Sequence, residues 1–180
     1  MRKDAPGTCP GFTLVELMAT LAVVAIIASL ALPGFRHVVE RQRTASAMHG
    51  LTVHLALART TAISSRTPVT LCPTRGHGLC SDSADWSTGW LIYRDPGRSN
   101  QPLVPDHVLR EEPAPVHDSI RIFSSAGRVR VRYQPDGRAA GANLTLRVCT
   151  AERLLGEVVV NNVGRTRSTR PQQDIPCPEG

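Results

Sequence analysis

Gly11-Phe12-Thr13-Leu14-Val15-Glu16-Leu17 opens an apolar run that lasts to Leu32 and decides how the rest of the chain is read. From 12 to 33 the run carries one formal charge, Glu16. At about 1.5 Å per residue such a helix would extend about 33 Å, close to the hydrocarbon thickness of a bilayer. It therefore reads as a single crossing helix. Arg2 and Lys3 precede the run and Arg36, Arg41 and Arg43 follow it, so the flanking charges orient it poorly. An ionisable group in such a segment is costly and calls for a dedicated partner, or else for a snorkelling position at the headgroups.

A positive start, an apolar run and the small-residue triplet Ser29-Leu30-Ala31 also suit an ordinary secretory signal cut after Ala31. Against this, Gly-Phe-Thr-Leu-Val-Glu-Leu resembles the processing site of type IV prepilins. That resemblance implies cutting after Gly11 by a prepilin peptidase and methylation of the new terminal Phe12. It makes 1–11 a leader and 12–35 the transmembrane and assembly half of an amino-terminal helix, with 36–180 a periplasmic pilin-like domain. The helix would hold the chain in the inner membrane and later pack among other pilins in a filament. Glu16 would then meet the amino terminus of a neighbouring subunit and set the register.

The 180 residues allow one helix and one modest domain. Arg2, Lys3 and Asp4 together carry one of the six net positive charges, so +5 stays with the mature chain. Lys3 is the sole lysine, and every later basic residue except the histidines is arginine. Arginine suits bidentate phosphate contacts, although genomic base composition would give the same excess. Position must therefore decide.

Cys9 falls in the leader, and Cys72, Cys80, Cys149 and Cys177 remain. An even number beyond a membrane anchor suggests two disulfides in an oxidising compartment. Three pairings are open; the short Cys72 to Cys80 loop and a Cys149 to Cys177 tie on the Pro-rich tail are expected. His77 within the first loop could make it a metal site, but no second ligand pair lies at suitable spacing.

After Pro33-Gly34 the helix is expected to bend and resume, with Val38, Ala45, Met48, Leu51, Leu55, Ala58 and Ala62 as its stripe against a sheet. Residues 57–63, with Val69-Thr70-Leu71-Cys72 and the Trp-rich element from Trp86 to Asp95, resemble the FimT/GspH branch of pilin-like proteins. Trp90 and Ile92 alternate against Leu91 and Tyr93, which predicts a half-buried strand. The Pro-rich stretch 95–119 reads as an irregular connection with a short strand near Leu109. Residues 120–123 and 128–133 read as a hairpin, with Val129, Val131 and Tyr133 on one face and Arg128, Arg130 and Arg132 on the other, and strands follow at 143–149, with Leu144, Leu146 and Val148 inward, and at 157–163. The fold class is α+β: a long amino-terminal helix on a mainly antiparallel β domain.

No catalytic constellation emerges, and neither a cofactor nor a metal is implied. The functional candidate is Gly164-Arg165-Thr166-Arg167-Ser168-Thr169-Arg170, three guanidinium groups interleaved with hydroxyls and free of acids until Asp174. In an extended chain Arg165 and Arg167 share a face, and Gly164 would open a turn whose backbone donors approach phosphate. Gly164, Arg165 and Arg167 resemble the Gly-Arg-x-Arg element of FimT minor pilins, which bind DNA in natural transformation. A basic edge strand that discourages aggregation, in a purely structural type II secretion pseudopilin or a pilus-priming subunit, is the alternative.

Overall fold

The computed structural model describes residues 11–113, 117–125, 127–150 and 152–178, the side chains of 30–33 and 36 excepted. Residues 1–10 of the expected leader lie outside the described residues. The chain divides into two compact units, Met1–Glu40 and Arg41–Gly180.

One helix, α1 (Leu14–Ser65), continues through Pro33 and Gly34. Its start is fixed locally, because the Thr13 hydroxyl accepts the Glu16 backbone N–H at 3.2 Å, the N-cap contact of a Thr-x-x-Glu sequence. In the first unit the apolar side chains lie bare, with Phe12 88% and Leu14 73% exposed, an amount of open apolar surface that calls for a partner. Among the described residues no helix is long and apolar enough to cross a membrane.

In the second unit Thr44, Ala47, Met48, Leu51, Leu55, Ala58 and Ala62 are buried, three or four residues apart save for the adjacent pair Ala47 and Met48. The stripe matches expectation from Met48 onward. Ala45 is only half-buried and Val38 is exposed, and Thr44 and Ala47 take their place at its start. The stripe lies in one core with side chains from two antiparallel sheets.

The first sheet has the order β3-β2-β1-β5 and the second β4-β6-β7-β8. Their strands are β1 (Val69–Pro73), β2 (Gly89–Arg94), β3 (Val108–Pro113), β4 (Arg121–Ser124), β5 (Val131–Tyr133), β6 (Leu144–Cys149), β7 (Leu154–Val160) and β8 (Thr166–Thr169). The expected hairpin of 120–133 is not formed. β4 pairs with β6, and β5 pairs with β1 in the other sheet. Alternation aligned Val131 and Tyr133 with the core correctly, but it carries no information about which sheet a strand joins. β7 likewise starts and ends three residues before the expected 157–163, because a turn begins at Asn161.

β2 also departs from expectation, since it is buried on both faces. Trp90 and Ile92 enter the main core with Trp86, while Leu91 and Tyr93 join Cys72, Cys80 and Val108 in a second small core. The second core exists because the loops after β1 and β2 fold over the sheet's outer face. The Cys72–Cys80 disulfide closes the first loop, and the Gln101 amide clamps it by accepting from the Cys80 N–H and donating to its carbonyl. The second disulfide joins Cys149 to Cys177 and ties the tail beside β6 and β7.

Candidate functional site

β7 turns into β8 through Asn161, Asn162, Val163 and Gly164. Asn161 organises the turn: its carbonyl accepts from Gly164 N–H at 2.9 Å, and its side-chain oxygen accepts from Arg165 N–H at 2.9 Å. Both backbone donors are thus spent inside the turn, which corrects the expectation that Gly164 presents them to phosphate. Gly164 is needed for another reason. Its φ is +82°, a conformation that side chains with a Cβ rarely adopt, and an added Cβ would lie 2.0 Å from the Gly137 carbonyl oxygen.

Arg59 on α1 locks this junction, with Nε donating to Gly137 O at 3.0 Å and a terminal nitrogen reaching Val163 O at 3.5 Å. It is a site-supporting residue that pattern reading passed over. The only sequence signal was a charge set beside the small-residue stripe at Ala58 and Ala62.

β8 is the edge strand of its sheet. Thr166 and Ser168 face Val160 and Val158 across the ladder, on the core side, whereas Arg167 faces Val159 on the outer side. Arg165 shares the outer parity with Arg167, and both are exposed. Arg170 is exposed too, but on the opposite side of the strand, where it lines a groove against α1. The three guanidinium groups are therefore divided two and one between the faces of β8. Among the described residues none of the three side chains has a hydrogen-bond or ion-pair partner.

Several other arginines of the domain are engaged. Arg132 Nε donates to the buried Asp95 carboxylate at 2.6 Å, and Arg130 bonds Asp82 and the Asn100 carbonyl. Arg128 bonds the carbonyls of Arg130 and Ala140, and its burial lowers its pKa from the usual arginine value. These three lie in or beside the first sheet, not with β8. On the second sheet Arg147 pairs with Glu157 at 3.6 Å, and at the tail Arg153 pairs with Asp174 at 3.3 Å.

At the other end, Gly11 and Phe12 precede α1, and Glu16 borders a hollow with Ala19, Thr20, Val23 and Val24. Cys72 and Cys80 are bonded to each other, so their sulfurs are not metal ligands.

The GspH family, described as type II transport protein GspH, matches residues 47–164, and the prokaryotic N-terminal methylation motif matches residues 8–32. The family match ends at Gly164, so the three arginines of β8 and its end lie just past it. A fimbrial protein of Moraxella nonliquefaciens is 33% identical over 79 residues, which are 44% of this chain and 48% of that protein. The chain thus spans about half the length of that relative. Among solved structures, crystals of the type IV minor pilin FimU of Pseudomonas aeruginosa superpose with a TM-score of 0.58 at 16% identity, covering 76% of this chain and 95% of FimU. A second crystal form gives 0.54 at 15% identity, covering 72% and 95%. These likenesses share the helix and antiparallel β domain described above. The chain belongs to the GspH family, carries the prokaryotic N-terminal methylation motif, and has the type IV pilin-like fold of an amino-terminal helix on an antiparallel β domain.

Proposed function

We propose that this chain is a minor pilin that binds DNA through β8 and its end, as part of a filament that takes up DNA in natural transformation. The observation that carries the reading is the clustering of Arg165, Arg167 and Arg170, all exposed and, among the described residues, without side-chain partners, within six residues of one edge strand and its end, whereas other arginines without a side-chain partner, such as Arg66, Arg75 and Arg94, lie apart from one another in the sequence. Guanidinium groups left without carboxylates are available for phosphate oxygens.

Binding of this kind is set by counterion release and is indifferent to sequence. Three arginine contacts give a slope of log K against log salt of about −2.7 on duplex DNA. Such weak sites gain from repetition along a filament. The full chain in non-ionic detergent, titrated with labelled duplex DNA at several salt concentrations, should show that slope. Replacing Arg165 and Arg167 by Gln should reduce it to about −0.9. Equal and salt-insensitive binding by both proteins sinks the reading.

A structural pseudopilin of a type II secretion system, or a pilus-priming subunit, is favoured by one observation, the Gly164 to Gly137 contact. It accounts for the glycine of the element by packing alone. It leaves the three unpaired arginines without a role.

For the amino end, the reading is cleavage after Gly11 by a prepilin peptidase, methylation of Phe12 and retention of α1 as the inner-membrane anchor before assembly. Glu16 would then face the terminal ammonium of a neighbouring pilin. The matched methylation motif supports this. Mass spectrometry of the membrane form should find methylated Phe12 as the first residue; a terminus at Leu32 would indicate ordinary signal cleavage instead.

A further inference from the structure

Between α1 and the end of β8 lies an open groove of about 410 Å³, lined by His49 and Thr52 from the helix and by Ser168, Thr169 and Arg170 from the strand and its exit. Its remaining lining, Ala45 and Met48, is apolar, and no lining residue is acidic. The close approach of helix and sheet that forms it depends on Gly156 in β7, where an added Cβ would lie 2.5 Å from the Met48 sulfur. Thr52 Oγ1 donates to the Met48 carbonyl at 2.8 Å and sits 3.3 Å from Ser168 Oγ. With the Thr52 proton committed to that carbonyl, Ser168 is the donor in the contact between the two hydroxyls, and its proton reaches a ligand only by turning away from Thr52.

We propose that this groove is a second phosphate subsite, in which Arg170 and the His49 imidazole hold the oxygens of one backbone phosphodiester, the Ser168 hydroxyl joining them by turning from Thr52. The inference rests on the DNA-binding reading and extends it to a residue of α1. Arg167 and Arg170 stand about 10 Å apart along the strand at the usual rise, on its opposite sides. A nucleic-acid backbone crossing the β8 edge therefore meets a cation on each side of it. The strand is gripped across its edge and not only laid on its outer face. A groove with one guanidinium, an imidazole and hydroxyls, and with no carboxylate to repel an anion, suits phosphate better than any cation or acidic-side-chain-seeking partner.

The test uses the full chain in non-ionic detergent, with labelled duplex DNA, comparing Arg170→Gln, His49→Ala, and the double variant Arg165→Gln with Arg167→Gln. All four positions are exposed, and unchanged far-ultraviolet circular dichroism and melting midpoints confirm folding. The subsite predicts that Arg170→Gln reduces the salt slope by about 0.9, and that His49→Ala weakens binding severalfold at fixed salt. If the outer-face double variant loses slope while Arg170→Gln and His49→Ala match the parent, the groove proposal is overturned and DNA binding by the outer face stands. If Arg170→Gln loses slope and the double variant does not, the groove stands and the outer face falls. If no variant differs from the parent, both fail. Inorganic phosphate replacing chloride at equal ionic strength separates the sources. Displacement of DNA by phosphate with an unchanged Arg170→Gln slope would make the groove a free-phosphate site and overturn the assignment.

Discussion

A methyl group on Gly164 would stand 2.0 Å from the carbonyl oxygen of Gly137, so the turn that launches the basic strand and the turn after β5 are in backbone contact. Gly137 itself has φ +79° and is held by Gln134 O, and Arg59 bonds the same carbonyl from α1. Three distant parts of the chain meet at this point, and the glycine fixes where β8 begins.

Gly164→Ala should therefore destabilise the domain by about 3 kcal/mol, through the positive φ and the clash together. In a chain of this size that lowers the melting midpoint by about 6–12 °C. Arg59→Ala should cost less, about 1–3 kcal/mol, because it removes hydrogen bonds from a charged donor without creating a clash. Differential scanning calorimetry checks both. A Gly164→Ala protein as stable as the parent would mean that the two turns separate without cost.

His54 links α1 to the first sheet. Its Nδ1 accepts from the Trp90 indole N–H at 3.0 Å and its Nε2 lies 3.4 Å from Glu112, which also bonds Arg110. An imidazole that accepts at Nδ1 is neutral, and a proton there would confront the indole N–H. Burial, the largest influence, lowers its pKa from 6.5, with Arg110 acting the same way and Glu112 and the Gly50 backbone opposing. Between the lowered folded value and the unfolded value the unfolded chain holds more protons. The stability contributed by His54 is thus full above about pH 6.5 and is lost as the pH falls below it. Melting midpoints at pH 7.5 and 5.5 should fall further for the parent than for His54→Gln, which keeps one acceptor and one donor but does not titrate. Equal losses would count against this account.

Asp95 is fully buried and accepts from Thr70 Oγ1, Ser99 N–H and Arg132 Nε, at 2.8, 2.7 and 2.6 Å. Asp95→Asn turns an amide donor toward these donors and leaves Arg132 uncompensated, at a cost of about 3–5 kcal/mol. Arg132→Gln should also destabilise the fold while leaving the salt slope of DNA binding unchanged. Arg167→Gln should do the reverse, lowering the slope by about 0.9 without moving the melting midpoint. A fall in slope for Arg132→Gln would place that arginine at the nucleic-acid surface after all.

The Cys149–Cys177 disulfide closes a loop of 28 residues that contains β7, β8 and all three candidate arginines. Replacing both cysteines by Ser should cost about 3–4 kcal/mol by loop-closure entropy. Hydrogen exchange should rise first at the tail, where Cys177 N–H bonds Glu152 O and Leu154 N–H bonds Ile175 O. Protection at those amides identical to the parent would show that the tail holds without the bond.

The sequence by itself determined the elements whose information is local. The helix period placed Met48, Leu51, Leu55, Ala58 and Ala62 in the core, and alternation assigned the inward faces of β5 and β6. Thr13 and Glu16 start α1 within one turn. Cysteine spacing pointed to the two disulfides because one pair is close in the chain and the other lies at a tail that needs tying. Tertiary structure alone decided the rest. Which sheet receives β4 and β5 is a long-range pairing that no local period records. Gly164 is required by a carbonyl 27 positions earlier in the chain, and Arg59 by the same atom from a different element. The six arginines at 128, 130, 132, 165, 167 and 170 are alike as residues. Only the fold gives the first three partners and leaves the last three open, because ion pairing depends on what packing brings within reach.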